Sequence, residues 1–238
     1  MALPLNPADV AAAVPPPPTS SASTACSGPR QGDPLVLSEV LLPPSSPLSA
    51  PASPTPDYRH RLRTTPLGWP VLASWCVWVE PAAPEEATRP VTTRWLAAVN
   101  RALAEWQTQV SLTRVPHPEW AHVTIWRQRP PLGVEATGRR RASHGRAILS
   151  LHGAPGGSPS DVEPRVRVLI SPDQRLEALQ ATALHELGHA FGLWGHSDQP
   201  EDAMAPSQGR QPILRLSPRD RATVRWLYAQ PTPLRSDP

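Results

Sequence analysis

The sequence predicts an α+β domain of α/β type, with one mixed five-stranded sheet, two long helices and a C-terminal helix. Three observations predict it. The candidate elements run strand, helix, several strands, helix, loop, helix, an order that layers helices on a sheet. Val91 to Gln109 carries Trp95, Leu96, Val99, Leu103 and Trp106 at helical spacing. Five short runs rich in β-branched and aromatic residues are set apart by Pro- and Gly-containing segments.

Before these elements, residues 1–60 are dominated by Pro, Ala and Ser, with runs such as Pro15-Pro16-Pro17-Pro18 and Pro43-Pro44. Such a stretch buries too little apolar surface to offset the entropy of ordering it. It reads as disordered, with extended polyproline character. A tail of this composition also suits partners that carry proline-binding domains. From about Trp69 the apolar residues become regular, and the folded domain is placed at 65–230.

Within that domain the first strand is Ser74–Val79, in a segment of β-formers from Trp69 to Glu80. Pro84, Glu85, Glu86 and Pro90 mark a loop, and the helix of Val91 to Gln109 follows, its Trp residues facing the core. Gln109–Val115 and His122–Arg127 are the next strands, parted by Pro116-His117-Pro118. Arg146–His152 and Arg165–Ser171 are two more, joined by a flexible Gly153-to-Ser158 loop. Leu176 to Phe191 is the second long helix. The third lies between Arg215 and Tyr228, with Ser217 as its N-cap and Pro218 at the first helical position.

Composition narrows the function. The 238 residues suffice for one enzyme-sized domain and a tail, and all 23 basic side chains are Arg, giving a net charge of +3. Arg139, Arg140, Arg141 and Arg146 cluster between two strands without interleaved aromatics, so they read as a solvated loop and not a nucleic-acid surface. No stretch approaches the length of a membrane span. The two cysteines, Cys26 in the tail and Cys76 in a core strand, are not expected to pair. Met1 to Asp9 lacks the basic start and apolar run of a secretory signal, so no compartment is assigned.

The chemistry is concentrated in residues 185–196, His-Glu-Leu-Gly-His-Ala-Phe-Gly-Leu-Trp-Gly-His. His185 and His189, four apart on a helix, share one face and can grip one metal ion. Glu186 then lies beside the metal without ligating it, placed to take a proton from water. Gly192 can end the helix in a left-handed turn and return the chain so that His196 reaches the same ion. Three imidazoles leave one tetrahedral position open, the arrangement of a catalytic zinc.

These residues resemble the metzincin metallopeptidases, and the matrixin branch most. The family pattern is His-Glu-x-x-His-x-x-Gly-x-x-His, followed by a Met in a tight turn. His185, Glu186, His189 and Gly192 match, whereas position 195 is Gly and the third His comes one residue late. Downstream the register is kept: Ser197 follows the His, Met204 comes eight residues after it, and Pro206 completes Met-x-Pro. The longer loop resembles a set of bacterial matrixin-like proteins. Asp198 and Asp202 are rival third ligands, and the offset to Met204 favours His196.

The resemblance implies a zinc-dependent endopeptidase with one catalytic Zn2+ held by His185, His189 and His196, Glu186 as general base, and Gly192 and Met204 as structural supports. It implies a protein or peptide substrate, bound extended along the edge strand Arg146–His152, and a monomer with no nucleic-acid or membrane partner. Secretion or a periplasmic location is what the family suggests. Matrixins often add calcium or a second, structural zinc, but His144, His152 and Asp161 do not reproduce the family's spacing. Cys26 could block the zinc as the cysteine of matrixin pro-segments does, though its neighbours Ala25, Ser27, Gly28, Pro29 and Arg30 depart from that motif. A non-catalytic zinc-binding or interaction protein on the same scaffold is the alternative.

Overall fold

The computed structural model describes residues 26–35, 40–42, 56–134, 140–141, 143–154, 157–207 and 211–234. Its main sheet has six strands in the order β1-β7-β8-β4-β2-β3. These are β1 (Asp33–Pro34), β2 (Trp75–Val79), β3 (Leu112–Arg114), β4 (Val123–Trp126), β7 (Gly145–Gly153) and β8 (Glu163–Ile170). A separate two-stranded ribbon pairs β5 (Gly133–Val134) with β6 (Arg140–Arg141). The helices are α1 (Pro90–Trp106), α2 (Leu176–Ala190) and α3 (Pro218–Tyr228). The α+β class and all five expected strands are present.

The sheet is mixed. β2 pairs in parallel with β3 and with β4, and β4 with β8, while β7 runs antiparallel to β8. Parallel strands are covered on both faces, and all five residues of β2 are buried. Trp75, Val77 and Val79 enter the main core, and Cys76 and Trp78 enter a smaller cluster with Val115 and Ala121. This explains a strand without polar alternation.

The main core lies between the sheet and the helices. Trp75, Trp95 and Trp106 have no exposed surface, and truncating a side chain of that size costs about 3–5 kcal/mol. Their indole N–H groups are spent on positioning. Trp95 donates to Ile170 O at the end of β8, Trp106 to Leu184 O on α2, and Trp75 to the Tyr228 hydroxyl on α3. The Trp106 bond joins α1 to the helix that carries His185 and His189.

Four expectations are corrected. Cys26 and Cys76 form a disulfide, because the N-terminal segment returns to the back face of the sheet, where Arg30 bonds Trp120 O and Glu163. And the sheet gains a sixth strand: Asp33 and Pro34 pair antiparallel with Gly153 and His152 of β7. Proline fits there because an edge position needs no further donor. Residues 26–35, 40–42 and 56–60, assigned by composition to the disordered segment, pack onto the domain, with Tyr58 fully buried. The polyproline runs, Arg139 and part of the Gly153–Ser158 loop lie outside the described residues. Arg140 and Arg141 form a strand of the ribbon, not a loop.

Candidate metal centre

The second long helix supplies most of the site. α2 packs against α1, β7 and β8, and its polar faces carry His185, Glu186 and His189. It ends in a Schellman motif: Leu193 N–H bonds Gly188 O, Gly192 N–H bonds His189 O, and Gly192 takes φ +103°. That turn sends Leu193 to His196 back across the end of the helix, as the glycine predicts. A side chain at Gly192 would also strike Val71 Cγ1 at 2.5 Å.

The three imidazoles converge. Their ring centroids are 4.9 Å apart for His185–His189, 5.0 Å for His189–His196 and 5.3 Å for His185–His196. One ring nitrogen from each lies within 4.8 Å of the others. The extra residue in the loop therefore does not turn His196 away. Gly195 makes room for it: a Cβ there would overlap Arg61 O, and Arg63 N–H bonds Trp194 O at 2.8 Å.

The ring orientations are fixed from behind. His185 Nδ1 lies 2.9 Å from Ala203 O and His189 Nδ1 lies 2.7 Å from Leu193 O. A carbonyl can only accept, so each Nδ1 carries the proton and each Nε2 keeps its lone pair for the centre. Burial holds all three imidazoles below the usual histidine range, His185 at about 4, and the other two imidazoles add to the lowering of His189. They are neutral at pH 7, the state in which imidazole binds a metal. Trp194 stacks on His189 at 5.5 Å between centroids and 17° between planes.

A buried network holds the floor. Met204 has no exposed surface, and its sulfur lies against Gly188, where any side chain would overlap it. Asp220 joins the floor to α3. It accepts from Ala203 N–H, from the Tyr58 hydroxyl and from Ser217 N–H, and Ser217 accepts from Asp220 N–H in a capping box. Ala203 O is the acceptor for His185, so the cap of α3 and one imidazole meet at the same residue.

The rival ligands are committed elsewhere. Asp198 pairs with Arg61 and Arg219, and Asp202 is held by Ser197, Ser217 and Arg219. His152 contacts Ser150 and Gly32 O, and no metal-ligating cluster other than the three histidines occurs among the described residues. Cys26, bonded to Cys76, has no thiol to offer.

Glu186 is 9 % exposed and lies beside His185 at the cleft. Burial raises its carboxyl to about 7, against the lowering effect of a bond from Ala147 N–H and of Arg146. The cleft has a volume of about 740 Å³ and is lined by the three histidines, Glu186, β7 residues Gly145 to Ala147, and Leu41 with Arg63. The sequence did not point to Gly145, Leu41 or Arg63. A glycine opening a strand is the one signal that singles out Gly145.

Three neutral nitrogen donors on a helix and its return loop, with a cleft on the open side, suit zinc. Residues 136–229 match the profile of the matrixin family. That stretch is similar to the matrixins. No curated protein matches the chain. The matched span runs from the ribbon to the end of α3 and contains all of the matrixin-like site residues. That similarity and the histidine triad together support zinc binding.

Proposed function

We propose that the chain is a zinc-dependent endopeptidase in which His185, His189 and His196 hold the metal and Glu186 is the general base. The observation that carries this reading is the buried Glu186 carboxyl set beside three converged, metal-ready imidazoles in an open cleft. Bound zinc supplies an electrophile that acidifies water and polarises a carbonyl oxygen.

The chain's own residues supply the rest. Glu186 accepts the proton of the attacking water and returns it to the leaving amine. A carboxyl raised toward neutrality suits both transfers, since it gives up a proton as readily as it takes one. Met204 and Gly188 pack below the histidines and move no proton. The substrate lies extended beside β7 between Arg146 and Leu149, where strand pairing would hold its backbone. Further along, Leu35 N–H already bonds Leu151 O, so that part of the edge is taken by the chain itself.

The test is Glu186→Gln in the full chain. It should keep one zinc per chain by elemental analysis and lose peptide-library cleavage by about 10²–10⁴-fold. Wild-type cleavage should stop with a chelator and return with zinc. Full activity in the variant would remove Glu186 from the chemistry. A wild type that holds zinc and cleaves nothing would establish the alternative, a non-catalytic zinc-binding protein.

A further inference from the structure

Nothing in the motif says what holds the Glu186 side chain in place, and the answer lies on a different element. Gly145 opens β7, the edge strand that faces α2. A Cβ built on Gly145 would lie 2.5 Å from Glu186 Cγ, 2.6 Å from Glu186 Oε1 and 2.7 Å from Thr182 Cγ2. Real Cβ atoms do not make contacts that short, so something must shift. The backbone of β7 cannot: Gly145 is paired with Ile170 and its neighbours are paired along the whole length of β8. The atoms free to yield are the end of the Glu186 side chain and one methyl group.

The same strand reaches the carboxylate two residues on. The Ala147 N–H draws the Glu186 pKa down against the effect of burial. That donor is spare for a topological reason. Val166, opposite Ala147's neighbour-but-one Leu149, donates to His122 on the other side of β8. In an antiparallel pair this makes 149–166 and 147–168 the non-bonded pairs, so Ala147 N–H faces outward, away from β8. Gly145, Ala147 and Glu186 line the same cleft there.

We infer that Gly145 is the positioning residue for Glu186. Its missing side chain leaves the space that Glu186 fills, and this lets the carboxylate reach the outward N–H of Ala147. β7 thus has a second task beside presenting an edge: one residue yields room and the next outward-facing one supplies a donor. Gly145 itself touches no reacting atom. The inference builds on Glu186 being the base, but the placement of its side chain can be read without any turnover.

The experiment compares the wild type, Gly145→Ala, and Gly145→Ala combined with Thr182→Ser, all in the full chain. Serine keeps the hydroxyl that bonds Gln174 and removes the crowding methyl, so the double variant folds with the Glu186 overlap as its one conflict. Both variants should bind one zinc and keep KM within about twofold, while kcat falls about a hundredfold, the usual penalty for a small misplacement of a reacting group. In the metal-free chain the Ala147 amide proton should move upfield as far as it does in Glu186→Ala. Wild-type kcat in either variant overturns the inference, as does an unmoved Ala147 amide. So does a rise in KM together with a lower melting temperature, which would mean that β7 had come apart. If the wild type cleaves nothing, the endopeptidase reading fails, and the amide shift still decides where Glu186 is held.

Discussion

At the scale of single residues, burial and proton placement matter more than residue identity. His122 shows this away from the metal centre. Its Nδ1 accepts from Cys76 N–H, and it is 4 % exposed. Burial, with Arg30 and Arg165 nearby, lowers its pKa from 6.5 to about 3. The folded state therefore keeps His122 neutral where the unfolded chain protonates it. The unfolded state binds more protons between about pH 6.5 and 3, so stability is complete above that window and is lost as pH falls through it. His122→Gln keeps an acceptor and does not titrate, so its melting temperature should fall less steeply from pH 7 to pH 4 than that of the wild type. Parallel curves would show that His122 does not carry this dependence. The residue gives no sign of the role in sequence, where it is only the first position of a strand. The metal triad was legible because ligand spacing is fixed by helix geometry, whereas the environment of His122 depends on the Cys76 and Arg30 that the fold brings to it.

At the scale of elements, local rules located what local forces determine. The helix of Val91 to Gln109, the Ser217–Pro218 start of α3 and the Gly192 turn follow from spacing, capping and backbone freedom, and each is found within a few residues. β1 was illegible because two residues, one a proline, have no strand signature and exist as a strand only when β7 lies alongside. Gly145 was illegible for a similar reason: its meaning resides in a helix forty residues away. The Gly192 turn gives a direct prediction. Gly192→Ala must hold φ near +103°, a cost of about 1–2 kcal/mol before its overlap with Val71 and Leu227 is counted. The melting temperature should drop, and zinc affinity with it, because the same turn brings Leu193 O to His189. A variant with unchanged zinc affinity would uncouple the turn from the ligand.

At the scale of the whole molecule, the N-terminal segment is tied to the domain by both a covalent and a strand contact. The Cys26–Cys76 bond closes a loop with a sequence separation of 50. Loops of that size constrain the unfolded chain, and their cross-links contribute roughly 2–4 kcal/mol. Cys26→Ser should accordingly lower the melting temperature by about 5–15 °C, as should a reductant acting on the wild type, with no further effect of reductant on the variant. Equal melting curves for variant and wild type would refute that contribution. Composition could not anticipate the link, since proline content describes the average residue of the segment and Cys26 with Arg30 are its exceptions.

The fit of Gly195 against Arg61 bears on how portable this centre is. The longer return loop and the strip of backbone from Arg61 to Arg63 are two halves of one joint, so neither can be transplanted alone. A chimaera that grafts residues 185–196 onto a host with the shorter spacing would leave Trp194 O without its donor and Gly195 without the Arg61 carbonyl it packs against. The host would have to import the 61–63 strip as well.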